Sequence, residues 1–295
     1  MDTAMTEQLD IAAKQVPVTV VIPCFRCEST IDGAVVSVVQ QTALPVELIL
    51  VEDCSGDDGR TLARLRQIQS QYGLTINIVV LVQPLNRGPG EARNAGWAIA
   101  SQPLIAFLDA DDTWHPEKLV RQSRIMLAHP ELSLSFHDTV ILERCENPSV
   151  LPAAMEVQLV HLTDMLLSNR VATRSVMLRT GIVQRFPLGL RYAEDYHLWL
   201  QILASGQRAA SLMLPLAASY KDDFGAGGLS GNLAAMHVGV QQCFSMLHQD
   251  GLLNTTQFRF ARSVEMLKYW RRLALMALRR CSSLFFAGTA SGKVR

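Results

Sequence analysis

The chain has 295 residues, 49% hydrophobic and 18% charged, which is enough to bury a large core and too apolar for a disordered polymer. Its formal charge is zero, yet residues 251–295 carry nine basic residues against Glu265 alone, a tail of +8 on a body of −8. The polar N-terminus lacks a secretory signal pattern, no apolar run reaches the ~18 residues of a membrane span, and six scattered cysteines fit a reducing compartment, so the expected location is the cytoplasm.

Residues 1–16 read as a loose start. Val18–Pro23 (VTVVIP) is a short β-branched run of the kind buried in parallel sheets. A helix follows with Ser29 as its expected N-cap, broken at Leu44–Pro45. Val46–Asp53 is a second strand, stopped by the turn sequence CSGDDG, and Arg60–Tyr72 reads as a helix. Ile76–Val82 is a third strand, NRGPGEARNAGWAIA a loop and helix, and Leu104–Leu108 a fourth strand. HPEKLVRQSRIMLA is then a helix with Pro116 in its first turn. The second half is less regular, with a helix near Leu159–Ser168, a strand near Val176–Leu178 and a helix over Glu194–Ala204. After the Gly-rich FGAGGLSG come long amphipathic helices over Leu233–Asp250 and Gln257–Leu284. Strands alternating with helices predict a mainly parallel sheet covered on both faces, with ligands beyond the carboxyl ends of its strands.

Three of those strand ends carry chemistry. Asp109-Ala110-Asp111 sets two carboxylates on one side of an extended chain, able to share a hard cation, although Asp112-Thr113 would serve equally as a helix cap. Asp53 ends another strand, where it would accept an imide N–H of a base or form an Asx-turn. In NRGPGEARNAG, Gly88 and Gly90 allow close backbone approach at a helix N-terminus, with Arg87 and Arg93 suited to a diphosphate. Glu194 and Asp195 open a helix, as a first-turn acidic pair or as a general base. Cys24-Phe25-Arg26-Cys27 has redox spacing but no accompanying redox feature, and the histidines show no zinc spacing. The basic tail lacks the aromatic platforms of single-strand nucleic-acid binders, so no nucleic-acid partner is expected.

In order along the chain, VTVVIPCFR, VEDCSGD, NRGPGEARN, FLDADDTWHPEKL and EDYHLWL resemble the motifs of family 2 glycosyltransferases, over residues 18 to about 231. The resemblance implies a GT-A fold over 17–231, with a helical, basic C-terminal extension over 232–295. It implies inverting transfer from a nucleotide-diphosphate sugar, UDP-linked by expectation, to a glycan or polyprenyl-linked acceptor. By similarity, Asp53 would bind the base with the backbone of Pro23 to Phe25 beside it, Arg93 would lie near the diphosphate, and Asp109 would contact ribose or metal. Asp111 would ligate Mn²⁺ or Mg²⁺, and Asp195, with Glu194 beside it, would be the catalytic base. Two departures stand out: Arg26 replaces the family's usual Asn, and SYKDDFGAGGLSG replaces the usual Y-R-x-H. A catalytically inactive nucleotide-sugar-binding module is the alternative. The basic amphipathic tail also suggests peripheral contact with the inner face of a cytoplasmic membrane.

Overall fold

The computed structural model describes residues 5–7, 15–142, 151–152, 154–220 and 232–290, with backbone alone at 5–7 and 277–290. Four parallel strands build the first half: β2 (Gln15–Cys24), β3 (Leu44–Glu52), β4 (Asn77–Val82) and β5 (Leu104–Phe107), in the order β5-β2-β3-β4. Neighbouring residues along β2 and β3 serve opposite faces. Val20, Ile22, Leu48 and Leu50 join one core with α1 (Ile31–Val39), α2 (Arg60–Tyr72) and α4 (Lys118–Ala128). Val21, Ile49 and Val51 join another with α3 (Pro89–Ile99), α5 (Leu162–Leu167), α6 (Glu194–Ala204) and α7 (Leu233–Gln249). Strands buried on both faces explain the unbroken apolar runs. Close packing of α3 on the sheet depends on Gly96, where a Cβ would stand 2.5 Å from Val21 Cγ1.

The second half extends the sheet in both directions of pairing. Among the described residues the sheet has ten strands, in the order β1 (Met5–Glu7), β8 (Met155–Val160), β10 (Arg208–Ser219), β7 (Leu132–Ile141), β9 (Met177–Arg179), then β5. β9 runs antiparallel between β5 and β7, whereas β7 and β10 are parallel. β6 (Asp112–Trp114) pairs antiparallel with the end of β10.

Several local expectations change. Residues 155–160 form β8, and only Leu162–Leu167 of the expected helix near Leu159–Ser168 is helical. Asp112-Thr113 does not cap α4, because tertiary pairing with β10 takes it into β6. Pro116 precedes α4, and α1 is preceded by Thr30 rather than Ser29. The C-terminal helix α8 spans Thr255–Ala290 and packs against α7 and α5. No helix among the described residues is long and apolar enough to cross a membrane. The SYKDDFGAGGLSG departure lies, from Lys221 to Gly231, outside the described residues.

Candidate active site

The carboxyl ends of β2, β3 and β5 meet the N-termini of α3 and α6 at a cavity of about 660 Å³. Pro23, Phe25, Arg26, Asp53, Arg87, Asp109, Asp111, Arg191 and Glu194 all line it. Parallel strands bring their ends to one edge whatever their separation in sequence, so residues more than a hundred positions apart converge.

Asp53 is buried, and its carboxylate accepts the Arg87 N–H at 3.1 Å and the Gly88 N–H at 2.9 Å. Asn86 Nδ2 donates to the Asp53 carbonyl at 3.0 Å, so the aspartate fastens the whole 86–88 loop to β3. Burial raises the Asp53 carboxyl above its usual range, against the two backbone donors. Across the cavity, Asn94 grips the backbone of Phe186 in both directions, at 2.8 and 3.1 Å, and so sets the 187–191 wall against α3.

Arg93 lies beneath the cavity rather than among its lining residues. Its guanidinium is buried, 2.6 Å from Asp109 Oδ1 and 3.6 Å from Glu194 Oε1, with its Cζ 5.4 Å from the Phe186 ring centre. Burial works against its charge, but Asp109 and Glu194 outweigh that and hold its pKa raised. One cation therefore joins the carboxylate at the end of β5 to the one opening α6. Gly90 permits this approach, since a Cβ there would meet Glu194 Cγ at 3.0 Å.

Glu194 and Asp195 point differently. Glu194 lines the cavity, and burial followed by the neighbouring Asp195 charge pushes its carboxyl up to about 7, with Arg93 opposing. Asp195 is not among the lining residues. It accepts the Thr173 hydroxyl at 3.1 Å and the Tyr196 N–H at 2.6 Å, and burial raises its pKa as well. Ala193, immediately before the pair, takes a left-handed φ of 61°, a strained conformation for a residue with a Cβ. Asp112 is buried beside Arg174 at 3.4 Å. Burial and then Asp109 lift its carboxyl to about 7.

Asp109 and Asp111 offer hard oxygen donors to the cavity. Among the described residues no three His, Cys, Asp or Glu side chains group to hold a metal unaided. That set fits Mg²⁺ or Mn²⁺, which are commonly bound through one or two carboxylates plus substrate phosphates and water.

Sequence reasoning missed Thr173, Arg174, Asn94 and Arg191. Thr173 and Arg174 sit in a short 3-10 turn, Thr173–Ser175, with no local signal linking them to Asp195 or Asp112. Cys24, Cys27 and Cys54 are free thiols; Cys24 and Cys27 are buried and line the cavity, while exposed Cys54 does not.

A family profile for glycosyl transferase family 2 matches residues 19–140. The Escherichia coli UDP-Glc:alpha-D-GlcNAc-diphosphoundecaprenol beta-1,3-glucosyltransferase WfaP is 30% identical over 198 residues, 67% of this chain and 74% of its own length. The chain belongs to glycosyl transferase family 2. It is therefore a glycosyltransferase. Escherichia coli WfgD, described by the same activity, is 27% identical over 65% of this chain and 72% of its own length. Among solved structures, S. aureus TarS 1-349 in complex with UDP-GlcNAc superposes with a TM-score of 0.64 at 18% identity, over 84% of this chain and 71% of that one. The mannosyltransferase PcManGT from Pyrobaculum calidifontis, in complex with GDP-Man and Mn²⁺, gives 0.59 at 17% identity, over 98% and 80%. These likenesses establish the GT-A fold.

Proposed function

We propose that this glycosyltransferase moves a sugar, with inversion, from a nucleotide-diphosphate donor to a lipid-linked glycan acceptor. The observation that carries the reading is the convergence of Asp53, Asp109, Asp111 and Glu194 on one cavity. The base stacks by Phe25 and offers its imide N–H to Asp53. Asp109 and Asp111 would hold the divalent cation, which when bound neutralises the leaving diphosphate. UDP-sugars and lipid-linked acceptors are favoured by the activities of WfgD and WfaP.

Inverting transfer needs one base for the acceptor hydroxyl, not the two opposed carboxylates of a hydrolase. Asp195 takes that role on the Thr173 side, while Glu194 faces the donor. Burial raises the Asp195 pKa above the ordinary aspartate value, which makes its carboxylate a stronger base. Arg93 positions both halves by pairing Asp109 with Glu194. The part of the acceptor glycan beyond the reacting hydroxyl fits a hollow beside the donor cavity that shares Gly189 and Leu190 with it. Gln241, Gln242, Ser245 and Gln249 give that hollow amides and a hydroxyl suited to sugar hydroxyls.

The lipid part of the acceptor calls for a membrane face, and α8 has one. Its inner side buries Ala261 and Glu265, with Lys268 Nζ donating to the Leu167 carbonyl. Its outer side exposes Phe260, Leu267 and Trp270 beside Arg259 and Arg271. Apolar side chains flanked by arginines on the solvent side of a helix suit an anionic lipid interface. Sedimentation with anionic vesicles should be salt-sensitive and fall when Leu267 and Trp270 are both changed to Ser. Asp195→Asn tests the chemistry: donor affinity should stay within about twofold while transfer falls ~10³-fold or more, the upper range for general-base loss combined with orientation. Parallel loss of donor binding would show that Asp195 serves the nucleotide instead.

A further inference from the structure

We infer that Arg26 is a specificity-determining residue of the donor cavity: it reads the carbonyl of a nucleobase carrying a lactam edge, O=C–N–H, whose N–H is taken by Asp53. The inference rests on the nucleotide-sugar reading above and adds which bases are admitted.

The placement of Arg26 separates it from the diphosphate end. Its backbone N–H donates to Ser55 Oγ at 3.0 Å and its Nε–H to the Ser55 carbonyl at 2.9 Å, so the side chain is drawn over the loop that follows β3. In the sheet, β3 flanks β2 on the side opposite β5. Arg26 therefore leans toward Asp53, which follows β3, and away from Asp109 and Asp111, which follow β5. The residue is held there at some cost, with a φ of 48° in the left-handed region.

With Nε committed to Ser55, the two terminal amino groups retain four N–H donors. They make no hydrogen bond to a described residue, and both Arg26 and Phe25 line the cavity, exposed. The guanidinium packs over the Phe25 ring, its carbon 5.1 Å from the ring centre, so the two side chains present one surface to the cavity with the terminal amino groups at its edge. Asp53 contributes only acceptors, each oxygen already receiving one backbone N–H and retaining capacity for another.

A carboxylate acceptor and a free cationic donor on one wall match a base presenting N–H and C=O side by side. Uracil, thymine and guanine present that edge. Cytosine and adenine present the reverse, a bare ring nitrogen and an amino group, so each contact would set donor against donor or acceptor against acceptor. A point charge serving only the diphosphate would not discriminate among them.

Calorimetric titration of the full chain with UDP, GDP, CDP and ADP, at fixed Mn²⁺, tests this with wild type, Arg26→Asn and Arg26→Lys. Asn tolerates the left-handed backbone that position 26 requires, so the loop should survive the change. Wild type should bind UDP or GDP ~10-fold or more tighter than CDP and ADP, the range for a charge-assisted hydrogen bond. The better of UDP and GDP separates a pyrimidine from a purine reader. In Arg26→Asn that preference should shrink several-fold, to the part that Asp53 alone supplies through the base N–H, with CDP and ADP affinities little changed. Arg26→Lys, which keeps the charge and loses the fork, should lose selectivity as well. Equal weakening of all four ligands in Arg26→Asn, or full selectivity retained in either variant, would overturn the assignment while leaving the donor site intact. No binding of any diphosphate to wild type would overturn the donor reading itself.

Discussion

Arg93→Met removes a guanidinium buried among three carboxylates while nearly conserving side-chain volume. In the wild-type protein the guanidinium lies 2.6 Å from Asp109 and 3.6 Å from Glu194, and it also lowers the pKa of Asp195. Breaking a buried ion pair from one side costs ~3–5 kcal/mol, but the orphaned carboxylates can recover part of that by taking up protons. The loss should therefore depend on pH. Glu194 is raised from 4.5 to about 7, so between those values the folded state holds a proton that the unfolded state has released. Wild-type stability accordingly falls as pH rises through that window, by up to ~3 kcal/mol, since one proton held across each pH unit is worth about 1.4 kcal/mol. Without Arg93 the upper edge of the window moves to higher pH, and the gap between variant and wild type widens from ~1–2 kcal/mol at pH 5 to ~3–5 kcal/mol at pH 8. Urea unfolding at the two pH values, analysed with a common slope, measures both gaps. An equal gap at pH 5 and pH 8 would mean that packing on Phe186, not carboxylate charge, is what Arg93 supplies.

Asp111→Asn should abolish metal-stimulated transfer while melting within about 2 °C of wild type, because the residue lines an open cavity rather than the core; undiminished turnover in that variant, or in EDTA, would remove the metal from the account. Gly96→Ala should cost ~1–3 kcal/mol and lower the melting temperature by several degrees, since the new methyl would stand 2.5 Å from Cγ1 of the fully buried Val21; an unchanged melt would show that α3 can slide. Alkylation under native conditions should modify Cys54 rapidly and leave transfer intact, because burial raises the Cys24 pKa and Cys54 does not line the cavity; mass spectrometry showing Cys24 labelled first, with loss of activity, would contradict that.

The first half of the fold was legible because its strands are buried on both faces and its helices carry clear periodicity. The helix read at about Arg60–Tyr72 is α2, and in the second half the helices read over Glu194–Ala204 and Leu233–Asp250 and the strand near Val176–Leu178 fall on α6, α7 and β9. The long strands of the second half were not legible. β7 and β10 draw on Ser, His, Ala and Pro as much as on β-branched residues, and they owe their strand state to one another and to β8 and β9. β6 is three residues of an acidic turn recruited by Ala217–Ser219, a pairing with no local signal. At the site, the motifs located Asp53, Asp109, Asp111 and Glu194, which line one cavity. They did not show that Arg93 would lie beneath it, or that Asp195 would turn toward Thr173, because burial and the turn at Thr173–Ser175 are set by packing between distant segments.

The central claim is metal-assisted transfer from a nucleotide sugar to a lipid-linked acceptor. Its most direct test is nucleotide release from a panel of UDP-, GDP- and TDP-sugars with Mn²⁺, with and without a polyprenyl diphosphate-linked sugar. One nucleotide class should be released only when the acceptor is present, with release lost in EDTA and in Asp195→Asn, and the product should carry the inverted anomeric linkage by NMR. Tight donor binding with no acceptor-dependent release from any donor would contradict the account and make the chain a nucleotide-sugar-binding module.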